Sequence, residues 1–74
     1  MKREPVESST LKSVGYSRKE KTLQLEFTSG EVYEYFQVPE KLHLELMTAA
    51  SPGSYFNQQI KDRYDFSRLI NNRG

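Results

Sequence analysis

The run Thr22-Leu-Gln-Leu-Glu-Phe27 alternates apolar and polar residues without a break, the pattern of a strand with one buried face. After Thr28-Ser-Gly30 comes a second such run, Glu31-Val-Tyr-Glu-Tyr-Phe-Gln-Val38, and the connection decides which way its tyrosines point. A two-residue Ser29-Gly30 turn pairs Phe27 with Val32 and turns Tyr33 and Tyr35 away from Leu23, Leu25 and Phe27. A three-residue loop with Gly30 in the left-handed bulge position pairs Phe27 with Glu31, Leu25 with Tyr33 and Leu23 with Tyr35. The second is preferred, because it asks a positive φ only of glycine. It leaves Val32, Phe36 and Val38 as an apolar strip on the opposite face of the sheet.

Upstream, Thr10 to Tyr16 reads as another strand, with Val14 and Tyr16 on one face and Leu11 out of phase. Either a bulge reconciles Leu11 with them or it faces outward. Downstream, Val38 to Tyr64 reads as two helices separated by a proline-glycine corner. Pro39 suits the first turn of the first helix, and Glu40 complements its dipole. Leu42, Leu46, Ala49 and Ala50 form an inward stripe widened by His43 and Met47, with Leu44 off it. Pro52 ends that helix near Ser51, and Ser51 or Ser54 caps the next. There Phe56, Ile60 and Tyr64 recur at i, i+4 and i+8. The expected fold is α+β: a three-stranded antiparallel sheet followed by two helices packed on one face. Residues 1–8, nearly devoid of apolar side chains, read as a disordered tail. Residues 9–66 form the domain and 67–74 a loosely ordered tail, with Leu69 and Ile70 packing back as a terminal turn and no ordered structure past about Asn71.

A 74-residue chain buries only about 60% of its unfolded surface. The absence of cysteine removes disulfides and thiolate metal sites as reinforcement. Five Tyr and four Phe leave aromatic packing or self-association to supply it. No apolar run approaches the roughly 20 residues of a membrane span, and the first ten residues lack the apolar segment of a signal peptide. A soluble, cytoplasmic protein is expected. Net charge is +1, with basic ends and an acidic middle.

No catalytic, metal or cofactor constellation stands out. His43 is the one histidine and has no second ligand at metal spacing, so a structural imidazole is expected. The serines lack a nucleophile elbow, and no phosphate-cradling glycine loop is present. Glu26 and Glu34 share the outer sheet face without a pocket. The strongest candidate is the corner Tyr55-Phe56-Asn57. With Phe56 in the core, Tyr55 falls toward the rim, and Asn57 either pins the turn or offers its amide to a ligand. Single-stranded nucleic acid is bound by exposed aromatic rings beside basic side chains. Arg18, Lys19 and Lys21 in the first hairpin, with Tyr55, Asn57, Lys61 and Arg63 on the second helix, are the candidate binding residues. A sequence pI near 8.0 is below the value above 9 typical of strongly basic nucleic-acid domains. The competing expectation is a non-enzymatic protein-interaction or homodimer module using a sheet edge or the open sheet face.

Val14-Gly15-Tyr16, Leu23-x-Leu25-x-Phe27, Gly30, Tyr33-x-Tyr35, Val38-Pro39, Ala50-Ser51-x-Gly53-x-Tyr55-Phe56-Asn57 and Ile60-x-x-x-Tyr64 together resemble the KTSC domain, named after the C-terminal domain of some lysyl-tRNA synthetases. The resemblance spans about residues 8 to 66. It implies a small stand-alone bacterial or phage protein and, through the synthetase association, RNA binding. It brings no catalytic residues with it. His43 departs from the pattern, which usually has an aromatic residue there.

Overall fold

The computed structural model describes residues 2–70, so the expectation for the chain past Asn71 lies outside the described residues. In chain order the elements are β1 (Arg3–Pro5), β2 (Leu11–Ser17), β3 (Thr22–Phe27), β4 (Val32–Tyr35), α1 (Glu40–Thr48), α2 (Pro52–Gln59) and β5 (Phe66–Ile70). The strands form one five-stranded antiparallel sheet in the order β1-β2-β3-β4-β5. The expectation of three strands followed by two helices is therefore corrected: α+β holds, but each end of the chain adds an edge strand. Both are held by tertiary contact more than by local pattern. Val6 beside β1 packs against the core, and Phe66 of β5 sets its ring 5.5 Å from Tyr33 and 5.4 Å from Tyr35.

The β3–β4 hairpin takes the three-residue loop. The Phe27 N–H donates to the Glu31 carbonyl at 2.9 Å, the Gly30 N–H donates to the Phe27 carbonyl at 2.9 Å, and Gly30 has φ 99°. Leu25 accordingly faces Tyr33, and Leu23 faces Tyr35. The register of β2 shifts between Leu11 and Ser13, so a bulge turns Leu11 inward, where it is fully buried. One side of the sheet thus presents Leu11, Val14, Leu23, Leu25 and Tyr35 to Leu46, Phe56 and Ile60 from the helical layer.

The opposite face is not the apolar strip expected. Gln37 has φ 59°, which breaks the two-residue alternation after β4 and swings Val38 into the core. There its N–H donates to the Lys21 carbonyl at 2.9 Å. Val32 stays on this face opposite Glu26, but it is buried. Polar side chains cover the middle of this face: Ser13 Oγ donates to Glu26 at 2.7 Å, Arg3 to Gln24 at 2.6 Å, and Gln24 Nε2 to Glu34 at 3.3 Å. Hydrogen-bonded carboxylates and amides at this density replace an apolar contact surface with a satisfied polar one.

Pro39 precedes α1 as its N-cap residue, in extended conformation, instead of occupying the first turn. Its carbonyl accepts from the Leu42 N–H at 3.0 Å. Of the two serines expected to cap α2, Ser51 does so, accepting from the Ser54 N–H at 3.4 Å with Pro52 in the first turn. A Cβ at Gly53 would lie 3.2 Å from both Cβ and Oγ1 of Thr10, so a larger residue there requires Thr10 to give by a few tenths of an ångström. The helix ends at Gln59, and Asp62 with φ 67° reverses the chain. Tyr64 therefore lies beyond α2 on the approach to β5, where continuation of the helical pattern had placed it on the helix.

Replacing Leu25, fully buried at the sheet centre, by Ala should cost about 2–5 kcal/mol, which rivals the roughly 3–5 kcal/mol a core of this size supplies. Urea titration followed by circular dichroism should find Leu25→Ala largely unfolded without denaturant. Leu44→Ala, at a helix position 56% exposed, should stay within about 0.5 kcal/mol of the parent.

Candidate functional site

The aromatic side chains of the hairpin face do not all disappear beneath the helices. Tyr35 and Phe56 are buried, and their rings meet edge to face at 5.4 Å. Phe27 meets Phe56 at 5.5 Å and Tyr33 at 5.4 Å. Phe66 closes the row at the sheet edge and is 56% exposed. Between this row, the Thr28-Ser29 loop and the end of α2 lies an open cleft of about 540 Å³. Asn57, Lys61 and Asp62 line its helix side, and Glu31, which pairs with Arg68 at 3.5 Å, lines its loop side. Burial, followed by the neighbouring Tyr33 and Asp62, pushes the Tyr35 phenol up to about 12. It stays protonated at every physiological pH. The cleft thus combines aromatic faces with an amide, an ammonium group and two carboxylates at its rim, a surface suited to a flat ring with polar edges.

The seven binding residues expected from the sequence do not gather on this surface. Asn57 and Lys61 line the cleft. Tyr55 does not: its hydroxyl donates to Glu45 of α1, tying the two helices together. Arg63 turns its Nε to the Gln58 carbonyl at 3.0 Å and closes the end of α2. Arg18, Lys19 and Lys21 sit on the β2–β3 turn, at the opposite end of β3 from the Gly30 loop, where Arg18 approaches Glu40 at 3.8 Å. The expected basic face is thus divided between two parts of the molecule. The aromatic residues that line the cleft, Phe27, Tyr33, Tyr35, Phe56 and Phe66, were not among the expected binding residues. The usable signal was the register itself, which aligns aromatic residues on one face without saying how far the helices cover them.

A second feature lies under β1. The imidazole of His43 stacks on the Tyr16 ring at 5.0 Å and 10°, and Tyr16 donates its hydroxyl to the Val38 carbonyl at 2.5 Å. The His43 Nδ1 atom is buried without a hydrogen-bond partner. Desolvation lowers the His43 pKa from its ordinary value of 6.5, opposed in part by Glu40 and Glu4. The imidazole is therefore a neutral packing element in the fold. Among the described residues no group of three or more His, Cys, Asp or Glu is placed to hold a metal ion. No described helix is long and apolar enough to cross a membrane.

A small antiparallel sheet carrying two short helices on one face, with an aromatic cleft at the hairpin end, defines a compact α+β module. The model of the KTSC domain matches residues 7–64, and this chain belongs to that family. The crystal structure of a KTSC domain protein from Yersinia pestis superposes with a TM-score of 0.88 at 34% identity, covering 93% of this chain and 97% of that one. A lysine–tRNA ligase of Nostoc punctiforme is 44% identical over 63 residues, which are 85% of this chain but 11% of the ligase. A protein of Stutzerimonas stutzeri is 41% identical over 64 residues and is matched over 90% of its own length. The same domain thus occurs as a small part of a long enzyme and as most of a short protein.

Because the folded His43 holds a proton less readily than the unfolded chain, acidification through the region below 6.5 favours unfolding. The contribution is fully present above that value and is lost as pH falls toward the lower folded pKa. Thermal unfolding at a series of pH values should show the midpoint falling on acidification. His43→Phe, which keeps a flat ring and removes the titration, should flatten that part of the profile.

Proposed function

We infer that this domain is a non-catalytic binding module that takes an unstacked base of single-stranded RNA into the aromatic cleft. The observation that carries the reading is the row of Phe27, Tyr33 and Phe66 rings opening beside the Asn57 amide and the Lys61 ammonium group. Aromatic faces supply sequence-tolerant stacking, worth about 1–3 kcal/mol per base. An amide and an ammonium group at the rim supply hydrogen bonds to a base edge and charge for a phosphate. The occurrence of the domain within lysine–tRNA ligases supports RNA as the class of ligand, since those enzymes act on tRNA by name. With Arg18 near Glu40, Arg63 on a helix end and Arg68 near Glu31, stacking contributes more of the affinity than phosphate contacts do.

Titration of a fluorescently labelled single-stranded RNA at low and moderate salt tests this reading. Phe66→Ala should weaken binding by about 5- to 150-fold, the equivalent of losing one stacked base. Lys61→Ala should lower the salt slope by about one phosphate contact. Lys19→Ala, away from the cleft, should change the affinity less than about twofold. Absence of binding at low salt, or equal losses from Lys19→Ala and Phe66→Ala, would overturn it.

A further inference from the structure

The two edges of the sheet are built differently. On β2 and β1 the Val6 N–H donates to the Lys12 carbonyl at 3.2 Å, and Glu4 pairs with Val14 in the same register. In an antiparallel ladder residues alternate between bonding one neighbour and the other, so Arg3 and Pro5 are the β1 residues whose backbone faces outward. Pro5 has no N–H to offer there, and β1 is three residues long. That edge is blunted by proline and by brevity.

On β5 the alternation has the opposite consequence. The Phe27 N–H bonds the Glu31 carbonyl and the Phe36 N–H bonds the Asp65 carbonyl, both at 2.9 Å. Tyr33 and Tyr35 therefore direct their backbone groups to β3, while Glu34 and Phe36 direct theirs to Ser67 and Asp65. Phe66 and Arg68, opposite Tyr35 and Tyr33, are left with N–H and C=O facing outward. Among the described residues nothing pairs with this edge, which carries no proline; the register shift opposite Val32 and Tyr33 confines its regular part to Phe66–Arg68, and Phe66 is 56% and Leu69 47% exposed.

We propose that β5 pairs antiparallel with β5 of a second copy, continuing the sheet across a twofold axis at Ser67. A twofold perpendicular to a sheet keeps each residue type on one face, so the permitted registers centre on a residue. Centring on Arg68 sets two guanidinium groups directly opposite each other, which is unfavourable. Centring on Ser67 places each Phe66 opposite Arg68 of the second copy. Both outward-facing backbone sets are then satisfied reciprocally, and the Arg68 guanidinium lies beside the edge of the phenyl ring on the same sheet face, leaving the ring face toward the cleft open. Phe66 is also the edge wall of the aromatic cleft. The second copy's Arg68 thereby becomes part of that wall, and the two clefts lie side by side on one sheet face. This self-pairing goes beyond the RNA reading and stands without it.

Sedimentation equilibrium over a concentration series, with no RNA present, should show reversible dimerisation. Amide hydrogen exchange at Phe66 and Arg68 should slow as protein concentration rises. Arg68→Pro removes an outward-facing donor and leaves the bonds from β5 to β4 in place, so it should be monomeric with an unchanged far-ultraviolet spectrum. Arg68→Glu, which puts no proline into the strand, should weaken dimerisation at least tenfold. A parent chain that stays monomeric at millimolar concentration would overturn the proposal, including the case in which the edge accepts a peptide from another protein instead. So would a dimer that neither variant weakens.

Discussion

Everything on the helix-covered side of the sheet depends on the hydrogen bonds of one three-residue loop. With Gly30 at φ 99°, Phe27 closes on Glu31, and every residue of β4 takes its face from that pairing. Shifting the register by a single residue would turn Tyr33 and Tyr35 to the polar side, among Gln24, Glu26 and Glu34, since side chains alternate with a period of two. The core would lose its largest sheet contribution, Tyr35, and the cleft would lose its floor. Glycine is suited to this place because the left-handed region costs it little.

The aromatic row follows from that register and from the shape of the cover laid over it. Two helices of nine and eight residues are too short to span a five-stranded sheet. They bury Leu23, Leu25 and Tyr35 completely or nearly so, and they leave Phe27 and Tyr33 half-buried and Phe66 exposed on β5. The cleft is thus the uncovered end of the core, with a wall supplied by α2. Such a place can accept a ring without opening a new cavity, because the apolar surface is already exposed. The opposite face, crossed by the Arg3, Gln24, Glu26 and Glu34 contacts, has satisfied its polar groups internally and offers less to a partner.

Much of this molecule could be read from residue order. The alternation in β3, the loop at Gly30, a serine cap at Ser51 or Ser54 and the core roles of Leu46, Phe56 and Ile60 are local patterns with local causes. The candidate binding residues were less legible. Asn57 and Lys61 reach the cleft, but Tyr55 is one residue from Phe56 and turns about 100° away from it, to Glu45. Arg18, Lys19 and Lys21 are basic, yet their strand delivers them away from the cleft. Charge in a sequence carries no information about which face it will occupy until the topology is fixed.

The sequence by itself determined the hairpin register, the two helices with the corner between them, and membership of one compact α+β family. Those depend on glycine and proline backbone limits and on apolar periodicity, which act over a few residues. Only the tertiary structure decided that Arg3–Pro5 and Phe66–Ile70 become edge strands, that Val38 turns inward at Gln37, and that the aromatic row stays open. Edge strands in this chain have little periodicity of their own. They form because a neighbouring strand offers unpaired backbone groups, and that offer exists only once the rest of the sheet is in place.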